Sequence, residues 1–424
     1  TKLAKINELK VISRTSVLQY KNTQKTIKAI GSELGVKTVL EGSIRKSGDR
    51  IRVAAQLINV SDDTHLWADT FDRKLENVFD LQDEVSKAIA RALELKFAPG
   101  QFKIEQPENF EVYENFLQYR YQINMYLLTQ KDEYFNQIIT LSGKAIELDP
   151  DNAVIHACLG YAYTTRYNLK ESPEDLQLSF KHFKKAYKLN PDLGGTNAAM
   201  AYIYSLQNEH KKSVIYIKKA LKIDSNFSET NHIAGFILYR VGLYNKAFLY
   251  FKKAAELNPL YLYAPYMAAR TLMNLRQFNK ANSFLEKSSQ LSPENISVLI
   301  VSAEMNMKME YLEKAEKLLA KAFKIDPDES FLMANRAFLF ALKKNVQKAL
   351  EIQLDGDWYK GQLYSLLDNK DKAFEYLSQG SEDSYLRLKN NPFYENLRKD
   401  PRYQKVLSKL KKRYDEFLKI FKDI

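Results

Sequence analysis

A single cysteine, Cys158, excludes an intramolecular disulfide and with it the disulfide-stapled class of small secreted domains. Glycine (14) and proline (11) are scarce in 424 residues, which excludes collagen-like and low-complexity chains and favours long helices joined by short turns. Histidine is scarcer still: His65, His156, His182, His210 and His232 are scattered, and no Cys/His pair stands at metal-ligand spacing. Also missing are a GxxxxGK phosphate loop, a GxSxG elbow and an HExxH pair, and no apolar run reaches bilayer-spanning length. Neither catalysis, a metal nor a cofactor is therefore expected. In IGSELGVK the glycine stops a helix, because no strand immediately precedes it as a dinucleotide loop would need. His65, in DDTHLWAD, reads as part of a polar turn leading into a strand anchored by Trp67; Asp62 and Asp63 are a weak cation signal.

The net charge of +12 is unevenly spread. Residues 1–100 hold 17 basic and 13 acidic side chains, 101–384 hold 35 and 34, and 385–424 hold 12 and 5. The basic excess sits mostly in the last forty residues, where Lys409, Lys411, Lys412 and Arg413 flank apolar positions at helical spacing, as on a solvated capping helix. A basic solenoid built for RNA would repeat Lys and Arg along its middle. The near-neutral centre speaks against nucleic acid as a partner.

What is present is a repeat. KAIELDP, KAYKLNP, KALKIDS, KAAELNP, KSSQLSP and KAFKIDP end at Pro150, Pro191, Ser225, Pro259, Pro293 and Pro327, at intervals of 41 and then 34 residues. A small residue follows each turn ten positions on: Gly160, Ala201, Gly235, Ala269, Ala303 and Ala337. Another series runs Ser213, Ala247, Ala281, Ala315, Ala349. The unit reads as a helical hairpin whose two helices approach where the small residues lie. Phe183, Ile217, Phe251, Leu285 and Leu319 fill the space between, and the proline ends the second helix. One hairpin leaves an apolar face wet, so such units stack in series. The first full unit is longer by seven residues, placed at NLKESPED (168–175) between its helices. The register breaks at LDGDWYKG, and Gly361, Tyr364, Ala373 and Leu377 restore it for one more pair.

This pattern resembles the tetratricopeptide repeat (TPR) family, whose small residues and terminal proline it matches over roughly 270 residues. The resemblance implies a mainly α fold, a right-handed superhelix or α-solenoid over 109–384 with about seven to eight hairpins, of which 109–148 is a degenerate opening one. Residues 385–424 would cap it.

Residues 1–98 follow another period. KVISRTS reads as a strand, TQKTIKAIGSELG as a helix stopped by Gly35, and 38–71 as three strands joined by SGD and SDD turns. The alternation Ile51, Val53, Ala55, Leu57 argues a half-buried strand. A last helix from Val78 to Phe97 would present Leu81, Val85, Ile89 and Leu93 on one face. LKVISRTSVLQYK, the stretch from AIGSELGVK to WADTFDR, and VFDLQDEVSKAIARAL resemble the TolB-like amino-terminal domain of bacterial proteins. Members usually begin with a further strand and loop, so the resemblance implies a fragment of a larger signalling protein. The missing part would be a nucleotide cyclase or a winged-helix DNA-binding domain, and a membrane contact would come only through a missing upstream segment. Nothing fixes the compartment; the cytoplasm is favoured over the periplasmic face of a membrane-anchored protein. The sheet edge left without its first strand offers a route to a homodimer.

In the TPR family the first helix of each hairpin lines the concave side. Carrying that register over nominates Tyr161, Tyr202, His232, Phe236, Tyr239, Arg240, Tyr263, Tyr266, Arg270, Asn274 and Glu304 as a partner-binding groove. Aromatic rings with arginine give large contact area at low entropic cost and a planar charged fork. They suit a protein or peptide partner, extended and bearing an acidic group or a free carboxylate. The expectation is a protein–protein interaction scaffold, or the regulatory portion of a longer enzyme or DNA binder.

Overall fold

The computed structural model describes residues 9, 11–12, 16–17, 19–21, 23–74, 78–93, 115, 118–119, 121–123, 125–126, 131–170, 172–259, 261–379 and 384–424. A small antiparallel sheet near the amino terminus precedes a helical solenoid. By contacts the chain forms two compact units, 1–230 with 257–259, and 231–256 with 260–424.

In the first unit, α1 (Ile27–Leu34) starts where the Thr26 side chain accepts from the Ala29 N–H and ends at Gly35, whose φ of 62° is the left-handed stop expected of it. Strands β1 (Thr38–Ser47), β2 (Arg50–Asn59) and β3 (His65–Lys74) form a meander in the order β1-β2-β3. Its second turn closes through Asp63 at φ 61° and the Asp62 carboxylate, which accepts from Thr64 N at 3.2 Å and Thr64 Oγ1 at 2.7 Å. Ala55 and Leu57 are buried, in phase with the expected alternation. α2 (Val78–Ala92) buries Leu81 and Ile89. The strand expected over KVISRTS is not found in its described residues: Val11 and Ile12 lie outside any strand, and Ser16 is helical and buried, its hydroxyl donating to the Asn258 side chain. A tertiary hydrogen bond has won over local β propensity there. Lys10, residues 13–15, Phe97 and most of the opening hairpin at 109–130 lie outside the described residues.

The helices that follow are α3 (Asp132–Leu148), α4 (Ala153–Lys170), α5 (Pro173–Leu189), α6 (Gly194–Leu206) and α7 (His210–Ile223). Next come α8 (Ser228–Arg240), α9 (Tyr244–Leu257), α10 (Tyr263–Asn274), α11 (Phe278–Leu291), α12 (Ile296–Lys308) and α13 (Leu312–Ile325). The chain closes with α14 (Ser330–Leu342), α15 (Val346–Glu351), α16 (Asp357–Leu366), α17 (Lys370–Gln379), α18 (Tyr385–Asn390), a 3-10 turn (Pro392–Leu397) and α19 (Pro401–Ile420).

Two devices set the hairpin. At the end of each second helix the residue before the turn position is extended: φ is −146° at Asp149, −142° at Asn190, −135° at Asp224, −151° at Ser292 and −147° at Asp326. A following proline disfavours the helical conformation at that residue, and Ser225 keeps the geometry without one. Between the two helices, one residue turns left-handed every 34 positions, at Asn208, Gly242, Arg276, Glu310 and Lys344. The next residue's N–H reaches back five positions, as in Leu243 N to Leu238 O at 2.9 Å and Tyr311 N to Asn306 O at 2.8 Å, which closes a Schellman-type stop. Gly160 and Gly235 sit where helices touch: a Cβ would lie 2.9 Å from the Phe183 ring and 2.8 Å from the Phe251 ring.

The extra seven residues of the first unit, expected between its helices at 168–175, lie mostly within them. They extend the helices: α4 has 18 residues and α5 has 17, against 13 and 14 in α6 and α7. Pro173 opens α5 at its first turn, where a proline needs no N–H partner, so the inserted stretch contributes helix to the end of α4 and to the start of α5. The register break is a stunted helix, since α15 has six residues and Gly356 turns at φ 90° before α16.

Candidate functional site

In the second unit, Tyr239 and Glu304 come from the carboxyl-terminal halves of α8 and α12, and Tyr266, Arg270 and Asn274 follow one another along α10. Spacing of 34 residues puts 240, 274 and 308 in one register, so equivalent side chains line up along successive first helices. The Arg270 guanidinium lies 5.7 Å from the Tyr266 ring centroid, 5.8 Å from Phe331 and 5.9 Å from Tyr239. Each such cation–ring approach is worth about 0.5–2 kcal/mol, more as water is excluded. Asn274 Nδ2 donates to the Tyr239 hydroxyl at 3.2 Å, which ties α10 to α8.

Beside this cluster Lys308 Nζ meets Glu304 Oε1 at 2.6 Å, with the lysine side chain 6% exposed and the carboxylate 17%. Burial alone would raise the Glu304 carboxyl; the Lys308 ammonium and then Arg270 and Arg387 overcome it and hold it below its ordinary value. Burial likewise opposes the charge on Arg270, and Tyr239, Tyr266 and Glu304 outweigh it, so the guanidinium stays charged. The site is thus a compensated arrangement of cations, one carboxylate and aromatic faces. It offers binding contacts and no nucleophile–base pair.

The other nominated residues are placed differently. Arg240 is exposed at the end of α8, and Tyr263 is exposed at the start of α10, 6.4 Å edge-on to Tyr266. Phe236 is half-buried. His232 is packed edge-on against Phe251 at 5.3 Å and Tyr261 at 5.1 Å, and burial pushes its imidazole down to about 4. Its role is in packing, with its ring among aromatics. In the first unit Tyr161 on α4 is exposed, while Tyr202 on α6 is half-buried, packed against the cluster of Phe183, Met200 and Ile203. No group of three or more potential metal ligands occurs among the described residues, and no described helix is long and apolar enough to cross a membrane.

The inner register runs one unit beyond the nominated residues. The register that nominates Tyr263 and Arg270 continues to Phe331 and Phe338 on α14, and Phe331 supplies the third ring around Arg270. Lys308, an inner position of the same register that the sequence also offered, is the partner of Glu304. Tyr359, whose hydroxyl burial pushes up, lies within the register break, and Asn390 and Phe393 lie past it, so none of the three had a periodic signal.

Comparison with known proteins adds the following. Residues 196–227 match the family model for the tetratricopeptide repeat. A curated protein of Rhizobium meliloti (strain 1021), putative adenylate cyclase 3, is 34% identical over 173 residues, 39% of this chain. The chain spans only 28% of that relative's length. Among solved structures, an IFIT1 monomeric mutant with Gppp-AAAA is 17% identical with a TM-score of 0.48, covering 81% of this chain and 77% of its own. The structure of pilF of Pseudomonas aeruginosa is 19% identical with a TM-score of 0.40, covering 54% of this chain and 97% of its own. The matched segment begins in α6, takes in α7 and ends just before α8, one period of the 34-residue hairpin series; over that period the chain is similar to a tetratricopeptide repeat.

Proposed function

We propose that this chain is a non-enzymatic scaffold that binds a protein or peptide partner along the inner register of its second unit, at Tyr239, Arg240, Tyr263, Tyr266, Arg270, Asn274 and Glu304. The observation that carries the reading is the Arg270 cluster: one guanidinium faced by three aromatic rings, beside the Glu304–Lys308 pair, on helices whose spacing repeats. Such aromatic and arginine groupings are what binding hot spots use. Arg240 is exposed and suits an acidic group or a free carboxylate on the partner. The test is affinity capture from the source cell with the intact chain and with Tyr239→Ala/Arg240→Ala/Arg270→Ala. Capture falls at least tenfold with helical circular dichroism unchanged; equal capture by the variant places the site elsewhere.

A second reading is favoured by the Rhizobium meliloti relative. In it, residues 1–98 are a TolB-like module and the whole is the regulatory portion of a longer bacterial signalling protein, a nucleotide cyclase. The full-length protein bearing the triple substitution would then show altered cyclase output with its catalytic domain intact, and unchanged output removes this reading.

A further inference from the structure

The rim of the nominated site is not bare. Residues 384–397 run along the second unit in the same order as its repeats. The Ser384 and Tyr244 hydroxyls share a hydrogen bond of 2.7 Å, and a Cβ on Gly242 would lie 2.5 Å from the Ser384 Cβ, so only glycine at that turn lets the segment approach. Asn390 Nδ2 donates to the Asn274 carbonyl at 2.8 Å, at the end of α10. The Phe393 ring takes the Lys308 ammonium at 5.6 Å and packs 5.6 Å from Phe338, and its carbonyl accepts from Ser365 Oγ at 2.7 Å. Asn396 Nδ2 then reaches Ser365 O at 2.8 Å and Asp368 Oδ1 at 2.9 Å. Arg387 lies 4.1 Å over the Trp358 ring and is one of the cations felt by Glu304. The segment therefore meets Gly242, Asn274, Lys308, Phe338 and Ser365 in turn, on successive hairpins, as a bound peptide would.

Its two ends are held by different forces. The end near Phe393 is apolar, with Phe393, Tyr394 and Leu397 buried. The end near Ser384 is fastened by polar contacts, and beyond it a single ammonium fastens residues 421–424. Lys246 Nζ on α9 donates to the carbonyl oxygens of Phe421 at 2.8 Å, Lys422 at 2.9 Å and Ile424 at 2.8 Å, the negative end of α19. Between these two fastenings a cleft stays open, lined by Arg240, Val241, Tyr385, Leu410, Arg413 and Phe417.

The geometry points to an autoinhibitory strap. Residues 384–397, carried by α19, occupy the rim at Arg240, Asn274 and Lys308 and compete for it with the partner of the site proposed above, with Lys246 and Tyr244 as the latch and the Phe393 end as the hinge. This inference rests on the groove reading for the partner and on the structure alone for the strap.

The experiment uses the full chain and a fluorescent synthetic peptide of residues 384–397. Lys246→Ala/Tyr244→Phe is compared with the intact chain by hydrogen exchange and peptide binding, with Asn390→Ala as a milder second variant should the first lose helical content. Amide exchange in 384–390 and 418–424 rises at least tenfold in the released variant, which binds the peptide while the intact chain does not. Unchanged exchange in both folded variants overturns the strap, and so does release without peptide binding. Neither result depends on partner capture, so the strap fails without the groove reading failing. Conversely, a triple variant that still captures its partner removes the groove reading and leaves the exchange result standing.

Discussion

The regular hairpins α6–α13 and the carboxyl-terminal stretch from α15 onward are built from the same residue types and are held together in different ways. In the hairpins nearly everything that matters is local: Gly235 faces Phe251, Ser213 Oγ donates to Ala201 O at 2.8 Å, and Ala220, Ala254 and Ala322 are fully buried at one register. In the carboxyl-terminal stretch the deciding contacts are distant, from Ser384 back to Tyr244 and from Asn390 back to Asn274. A repeat array is stabilised by neighbours, so its errors stay local. A segment that returns across several repeats couples them, and a fault at one end is felt at the other. That difference makes the two regions separable by experiment.

The largest effect is expected inside a hairpin. Phe251 is fully buried between α8 and α9, and Phe251→Ala should cost about 3–5 kcal/mol through lost burial and the cavity left behind. Chemical denaturation reports the loss, and hydrogen exchange shows it concentrated in α8 and α9. Protection lost evenly along the whole chain would mean that the hairpins are not independent enough for the comparison to hold. Next in size is the long-range fastening. Lys246→Ala removes three hydrogen bonds to a charged donor, each such bond being worth about 1.5–3 kcal/mol when formed away from water and less at this half-exposed position. A net loss of about 2 kcal/mol is expected. Its signature is distribution: protection falls in α9 and also in residues 418–424, far away in sequence. A loss confined to α9 would make the contact incidental.

Acid separates the regions in another way. All five histidines precede residue 233, so the carboxyl-terminal stretch has none to titrate. Burial holds the His232 imidazole at about 4, below the ordinary 6.5, so the unfolded chain binds the proton more readily than the folded one. The stability this group lends is complete above pH 6.5 and is lost as pH falls toward 4; at pH 5 the loss is about 2 kcal/mol. In the first unit His182 is pushed down to about 4 by burial and by His156, whose Nδ1 lies 3.2 Å from its own, so the same window applies there. Hydrogen exchange between pH 7 and 5, corrected for intrinsic rates, should loosen α8–α9 before α17–α19. His232→Gln should flatten that dependence for α8–α9, and a slope unchanged by the substitution would assign the acid sensitivity elsewhere.

The hairpins were legible because their signal is steric and periodic. Gly160, Ala201 and Gly235 announce where helices touch, and the residue before each proline announces where a helix stops. The three strands were legible from Ile51, Val53, Ala55 and Leu57 and from the SGD and SDD turns. What was hidden has no period. Nothing in KVISRTS shows that Ser16 will be drawn into a hydrogen bond with Asn258, and nothing in NLKESPED shows that an insertion will lengthen two helices. For the site, the register named Arg270 and Tyr266 but not the rim contacts of Asn390 and Phe393. Those depend on how a non-repeating tail folds back, which no single-repeat pattern encodes. His232 was legible as an inner position and is packed between Phe251 and Tyr261, since periodicity gives direction and not depth.

The smallest effect tests whether the period extends to the backbone itself. Arg276, Glu310 and Lys344 hold left-handed φ values of 59°, 65° and 62° at the position where Gly242 has 78°. A side chain there costs about 1 kcal/mol relative to glycine in the folded turn, partly offset by glycine's greater freedom when unfolded. Glu310→Gly should therefore stabilise the chain by about 0.5 kcal/mol, and Arg276→Gly by a similar amount, read as a rise in denaturation midpoint at unchanged slope. The converse change, Gly242→Ala, should cost more than these gain, because it combines the left-handed conformation with a Cβ 2.5 Å from Ser384. If Gly242→Ala proves as mild as Glu310→Gly is favourable, the turn at 242 is an ordinary member of the series and the tail does not press on it. If it costs more and raises exchange in 384–390, that glycine belongs to both regions at once, closing a hairpin and admitting the strap.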